Sequence, residues 1–125
     1  MAFTTAVDQE ILDWFLTQYD TPYAGYSTAD PTKDGSGLAE PDSETTGYAR
    51  VDLTAGLTRT DSEIDNDAAI EFPEATGDQG TITYACLFDG EEGDLIWSAA
   101  LTASKEVSTG DTPRFPIGDF NITQS

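Results

Sequence analysis

Eight residues that alternate along a strand, Thr81 to Phe88 ("TITYACLF"), lead through six turn residues ("DGEEGD") into a second apolar run, Leu95 to Leu101 ("LIWSAAL"). Side chains on a β-strand point to opposite faces in turn, so a period of two with Thr, Ile, Tyr and Phe enriched is a strand signature. It predicts Ile82, Tyr84, Cys86 and Phe88 on one face and Thr81, Thr83, Ala85 and Leu87 on the other. In the second run Leu95, Trp97, Ala99 and Leu101 fall to one side and Ile96 to the other. Asp89-Gly90 and Gly93-Asp94 are turn signals, which makes the pair an antiparallel hairpin. A lone hairpin is marginal in water, so other strands must cover it.

The rest of the chain supplies them. "YARVDLT", "AAIEF", "KEV", "PRFPI" and "FNIT" are short strand candidates separated by turn residues. Before them, Val7, Ile11 and Phe15, with Leu12 and Leu16 beside them, form a helical stripe over residues 7–18. Thr5 is its candidate N-cap and "DTP" at 20–22 closes it. Residues 29–47 ("ADPTKDGSGLAEPDSETTG") are rich in Asp, Pro, Gly and Ser and read as a long surface loop. The expected fold is an all-β antiparallel β-sandwich, jelly-roll-like, with one amino-terminal helix and a single domain over 1–125.

Charge narrows the function. With 24 acidic residues against 5 basic ones the formal net charge is −19, which repels nucleic acid and anionic lipid. No apolar run approaches the roughly 20 residues of a membrane span, and the first ten residues lack the basic region of a signal peptide. Synthesis in the cytoplasm, with retention there or exit by lysis, is the expectation. Most of the six Phe, five Tyr and two Trp lie inside alternating segments, which sets the chain apart from an acidic disordered tail. The acids are spread over the whole length and Lys is confined to Lys33 and Lys105. That pattern suits multimolar salt, where the Debye length shrinks to about 3 Å and self-repulsion is screened.

Chemistry is mostly absent. Without histidine there is no Ser-His-Asp or Cys-His nucleophile and no histidine metal site. Phosphate loops and dinucleotide fingerprints are missing, and Cys86 stands alone, a small core residue without a disulfide partner. "DSEIDND" places Asp61, Glu63, Asp65 and Asp67 at alternate positions, but a calcium loop needs Gly and Glu where Asn66 and Phe72 stand, so it reads as a solvated acidic turn. "NIT" at 121–123 meets the glycosylation sequon by spacing alone. No catalytic residue, cofactor or metal is expected, and a carboxylate hydrolase is the minor alternative. Arg50 ("GYARVDL") and Arg114 ("PRFP") lie in predicted strands, where five guanidinium donors need carboxylates or carbonyls. Each is expected to serve as an ion-paired clasp between strands or subunits.

"TPYAGYSTADPT", "GYARVDLT", "IEFPEATGDQGTITYACLFD" and "LIWSAALTASKEVSTGDTPRFPIGDFNIT" occur in one order along nearly the whole chain. Together they resemble a family of small virion proteins of tailed phages described as tail-fibre or head-fibre-like proteins. The resemblance implies a structural virion protein without a catalytic site, and framework or interface roles for Arg50, Phe72, Pro73, Trp97, Arg114, Phe115 and Pro116. The higher acid content points to a virus of a halophilic host, a haloarchaeon. Because repeats and heptads of a fibre shaft are missing, the expected role is a capsid-surface turret or head spike. A tail-fibre base or baseplate component, with a lectin-like host-binding role in the 29–47 loop, is the alternative. The expected partners are further copies of the chain in a homo-oligomer, other virion proteins and the host cell surface, with no nucleic acid and no membrane insertion; the expected location is the virion, assembled in host cytoplasm.

Circular dichroism during desalting checks the reading of the charge: the fold should loosen below a few tenths molar salt, where screening fails. An unchanged spectrum would contradict it.

Overall fold

The computed structural model describes residues 5–19, 21–53, 56–60, 63–116 and 120–123. Along the chain run α1 (Thr5–Gln18), β1 (Tyr23–Ser27), α2 (Ser43–Thr46), β2 (Val51–Asp52), β3 (Leu57–Thr60) and β4 (Glu63–Asn66). There follow β5 (Ile70–Glu71), β6 (Gly80–Phe88), β7 (Leu95–Val107), β8 (Arg114–Phe115) and β9 (Asn121–Thr123). One sheet has the order β2-β1-β6-β7; opposite it lie β3-β4-β9 and the small pair β5-β8. Every pairing is antiparallel. The result is sandwich-like, with no barrel closed and the second layer split into two small sheets instead of one jelly-roll sheet.

The β6–β7 hairpin forms where the alternation predicts it, but its faces are not those a strict period of two assigns. The β6–β7 register shifts between Ile82 and Tyr84 and again between Leu87 and Phe88. A bulge reverses which side later residues face. Ile82, Ala85 and Leu87 therefore join the core, and paired neighbours place Ala24, Tyr26, Trp97 and Ala99 on the same face. Cys86 and Phe88, both fully buried, lie on the opposite face, with Gly25 and Tyr23 across from them on β1. "KEV" is not a separate strand but the end of β7.

Aromatic rings fill the space between the layers. Tyr26 meets Phe72 edge-on at 4.7 Å, Phe72 meets Phe115 at 5.7 Å, Phe115 meets Phe120 at 5.1 Å, and Phe120 meets Trp97 at 5.7 Å. Each such pair contributes about 0.5–1.5 kcal/mol beyond the area it buries. Asn66, completely buried at the end of β4, ties the layer together: Nδ2 donates to the carbonyls of Ala68 and Pro116 (both 2.9 Å), and Oδ1 accepts from the Phe120 N–H (2.9 Å). All of its hydrogen-bonding reach is spent inside, as a buried amide requires.

Other differences from the sequence reading have local causes. β4 runs through "DSEIDND", read above as a turn; acids at every second position are the outer face of a strand whose inner face is Ile64 and Asn66. β8 stops after two residues between Pro113 and Pro116, which cannot donate to a ladder. Thr5 is already helical among the described residues, so it is not the cap. The stripe packs as expected through buried Leu12 and half-buried Phe15 and Leu16, while the side chains of Thr5 and Val7 lie outside the described residues.

Candidate functional site

The segment from Thr28 to Arg50 covers the face of the sheet that the aromatic layer leaves bare. It is held at its start by Ser27, fully buried, whose Oγ accepts from the Ala39 N–H (3.0 Å) and donates to the Ala29 carbonyl (2.7 Å). The Thr28 N–H donates to the Ala39 carbonyl at 3.0 Å. Within it, Asp30 and Asp34 accept from the backbone of Thr32 (2.9 Å) and Ser36 (3.0 Å), and Thr32 also donates to Asp34, whose carboxyl is held down at about 2 by these bonds. Residues 43–46, expected as loop, make one turn of helix: Asp42 caps it through the Glu44 N–H (2.8 Å) and Gly47 ends it in the left-handed region.

Arg50 closes the segment. Its Nε and Nη2 donate to the two carboxylate oxygens of Glu40 at 3.0 and 2.7 Å, a bidentate pair. Its Nη1 donates to the carbonyls of Gly90 (3.3 Å), Glu91 (3.1 Å) and Gly93 (3.0 Å) in the β6–β7 turn. The guanidinium carbon sits 3.5 Å above the centre of the Phe88 ring. Burial works against its charge, but Glu40 outweighs that cost and raises the pKa of Arg50 above its ordinary value. Gly90, with φ of 124°, lets the turn present its carbonyls to Arg50.

Tyr48 links this group to β1. Its hydroxyl donates to Glu40 and accepts from the Tyr26 N–H at 3.4 Å, beyond the two residues of β1 that β2 pairs. Burial raises the Tyr48 pKa, and the charge of Glu40 raises it further, so the phenol stays a donor. Gly25 is the space this arrangement needs: a Cβ there would collide with the Tyr48 hydroxyl and lie 2.7 Å from the Phe88 ring. Burial also pushes the Cys86 thiol up to about 12, which keeps it unionised and inert.

Two open clefts flank Arg50. One of about 540 Å³ is lined by Glu40, Tyr48, Glu91 and Glu92, the other of about 510 Å³ by Asp34, Phe88, Asp94 and Leu95. Both are acidic, and of the five donors on Arg50 at least four are already engaged. The arrangement binds one piece of this chain to another and has no cation left to grip an anionic ligand. Among the described residues no three Cys, Asp or Glu side chains gather as a metal site.

The other expected site residues are dispersed. Phe72 and Phe115 are buried in the aromatic layer, and Trp97 is half-buried at its margin. Pro73 and Pro116 are exposed. Arg114 is exposed on β8, and its guanidinium makes no ion pair among the described residues; its carbonyl accepts from Lys105 Nζ at 2.9 Å. Lys105 in turn lies 4.5 Å from the centre of the Phe115 ring. Arg50 and Arg114 therefore do different things inside the chain. Glu40 and Tyr48 were not singled out in the sequence; a lone Glu in a chain of 24 acids carries no signal until its partner is seen.

The family model for podophage GP4 fiber I protein gp80 matches residues 2–123. No curated protein matches the sequence. The chain belongs to this phage fibre protein family, and its role is that of a structural component of a virion.

Denaturant unfolding of Arg50→Ala, Glu40→Ala and the double variant tests the pairing. Each single change should cost about 2 kcal/mol, since a partly screened pair loses less than a fully buried one, and the double variant should cost little more than either. Additive losses would show that the two side chains act separately.

Proposed function

We propose that the chain is a non-enzymatic, compact mounting subunit of a virion fibre, placed on the capsid surface as a turret or head spike. The match over residues 2–123 carries the fibre role. Compactness supports a mount over a shaft: 125 residues without repeats build a short sandwich, not an extended rod. A single domain over 1–125 is part of the reading. So is a halophilic host, on the strength of a net charge of −19 spread over the chain. The absence of histidine and the engaged donors of Arg50 favour a structural role over catalysis.

In this reading the chain assembles with copies of itself and with neighbouring virion proteins. Arg114 and Pro116, exposed beside Phe115, offer a contact to such neighbours, and Arg114 is a cation that an acidic partner copy can use. Placement at a tail-fibre base is the second reading, favoured by the family's description as a fibre protein. A lectin-like role for residues 29–47 has less support, because Ser27, Asp30, Asp34 and Glu40 spend their polar groups within the chain.

Gold-labelled antibody on intact virions, kept in high salt, tests the placement. Label on the head is expected. Label on the tail would move the subunit to a fibre base, and unlabelled particles from a preparation that contains the protein would overturn the virion role.

A further inference from the structure

β7 forms an edge of the four-stranded sheet. It is 13 residues long and pairs with β6 on one side alone. On its other side, the backbone of residues 96–106 bonds to no described residue. An unpaired edge of this kind is a template for another strand, and proteins usually blunt it with charges or proline. Here Leu95 to Ser104 contains neither, and Leu95 to Lys105 is the longest run in the chain without a carboxylate. The next longest, residues 79–88, includes β6, which is sealed between β1 and β7. Ile96, Trp97 and Leu101 remain half-buried along the same strand.

Charge and length both say which strand fits. A chain with net charge −19 is repelled by its own kind over nearly all its surface, and Leu95–Lys105 is where two copies meet without opposing carboxylates. The other strands at sheet edges are short: β2 has two residues, β3 four and β9 three. Head-to-tail addition onto the other edge of the same sheet would meet the two residues of β2, with Tyr48 already bonded to the β1 backbone beyond them. Only β7 matches β7. The pairing skips from Ala100 to Lys105 opposite Tyr84 and Ile82 and passes over Ile96 at its start, so the regular part of the edge is Trp97 to Ala100, within its first half.

We propose that two copies of this chain pair antiparallel along the first half of β7 about a two-fold axis, joining their four-stranded sheets into one continuous sheet. The proposal rests on the reading that the chain assembles with itself, and it names the surface that does so. Because the two strands run in opposite directions, an axis near Ala99 would set the half-buried Trp97 of each copy opposite Leu101 of the other. Low salt should weaken the pair, since the two copies still repel elsewhere.

Light scattering of the full chain in multimolar salt should give the mass of a dimer or an even multiple. Ala100→Glu with Thr102→Glu, both at exposed positions, would set like charges on facing strands. Association should then weaken at least about tenfold, which corresponds to about 1.4 kcal/mol, with an unchanged circular dichroism spectrum. A monomeric wild type would overturn self-assembly and this proposal together. An assembly that survives the two glutamates would overturn the β7 edge and leave self-assembly standing. Should the variant misfold, cysteines placed singly at Ser98, Ala99, Ala100 and Leu101 replace it, since native Cys86 is buried and inert. Oxidation should link two chains at one of these positions, and no link at any of them would overturn the proposal.

Discussion

Arg50 is the contact on which the second face of the sheet depends. One guanidinium binds the Glu40 carboxylate, three carbonyls of the β6–β7 turn and the face of Phe88. It thereby fastens the 28–50 segment over β1 and β6, where Cys86 and Phe88 would otherwise face water. The aromatic layer on the opposite side can be built by hydrophobic burial alone. This side is covered by a polar, acid-rich segment that lacks enough apolar surface to stay down unaided, and a charge-assisted fork supplies what burial does not.

That use of an arginine explains its presence in so acidic a chain. An exposed cation on this surface would be one charge among many, screened by salt and worth little. Placed where Glu40 is mostly shielded, the same charge interacts strongly and in a fixed direction. Tyr48 extends the group to the β1 backbone, and Gly25 leaves room for its hydroxyl. Residues 25, 40, 48, 50, 88 and the 90–93 turn form one unit drawn from four parts of the chain. In the proposed mounting role such rigidity would be of use, because load on a fibre passes through its base.

The hairpin, the helix and the antiparallel class were legible because alternation and helical spacing are local signals. Their faces were not: two register shifts in β6–β7 reverse the phase, and a bulge leaves no trace in a run as uniformly apolar as "LIWSAAL". β4 was hidden for a different reason. Its outer face is acidic throughout, so "DSEIDND" looked like a turn, although Ile64 and Asn66 between the acids carried the period of two. The arginines were picked out by scarcity, which identified Arg50 and Arg114 alike and could not tell the one that clasps from the one that stays exposed. Long-range partners such as Glu40 and Tyr48 became visible with the fold.

Residues 28–50 belong to the folded core and are not a surface loop laid against it. Native-state hydrogen exchange in multimolar salt tests this at the Thr28 and Ala39 amides, which bond to the Ala39 carbonyl and to Ser27 Oγ. Both should exchange as slowly as the amides of β6 and be released in the same cooperative opening. Fast exchange at Thr28 and Ala39 while β6 stays protected would contradict it.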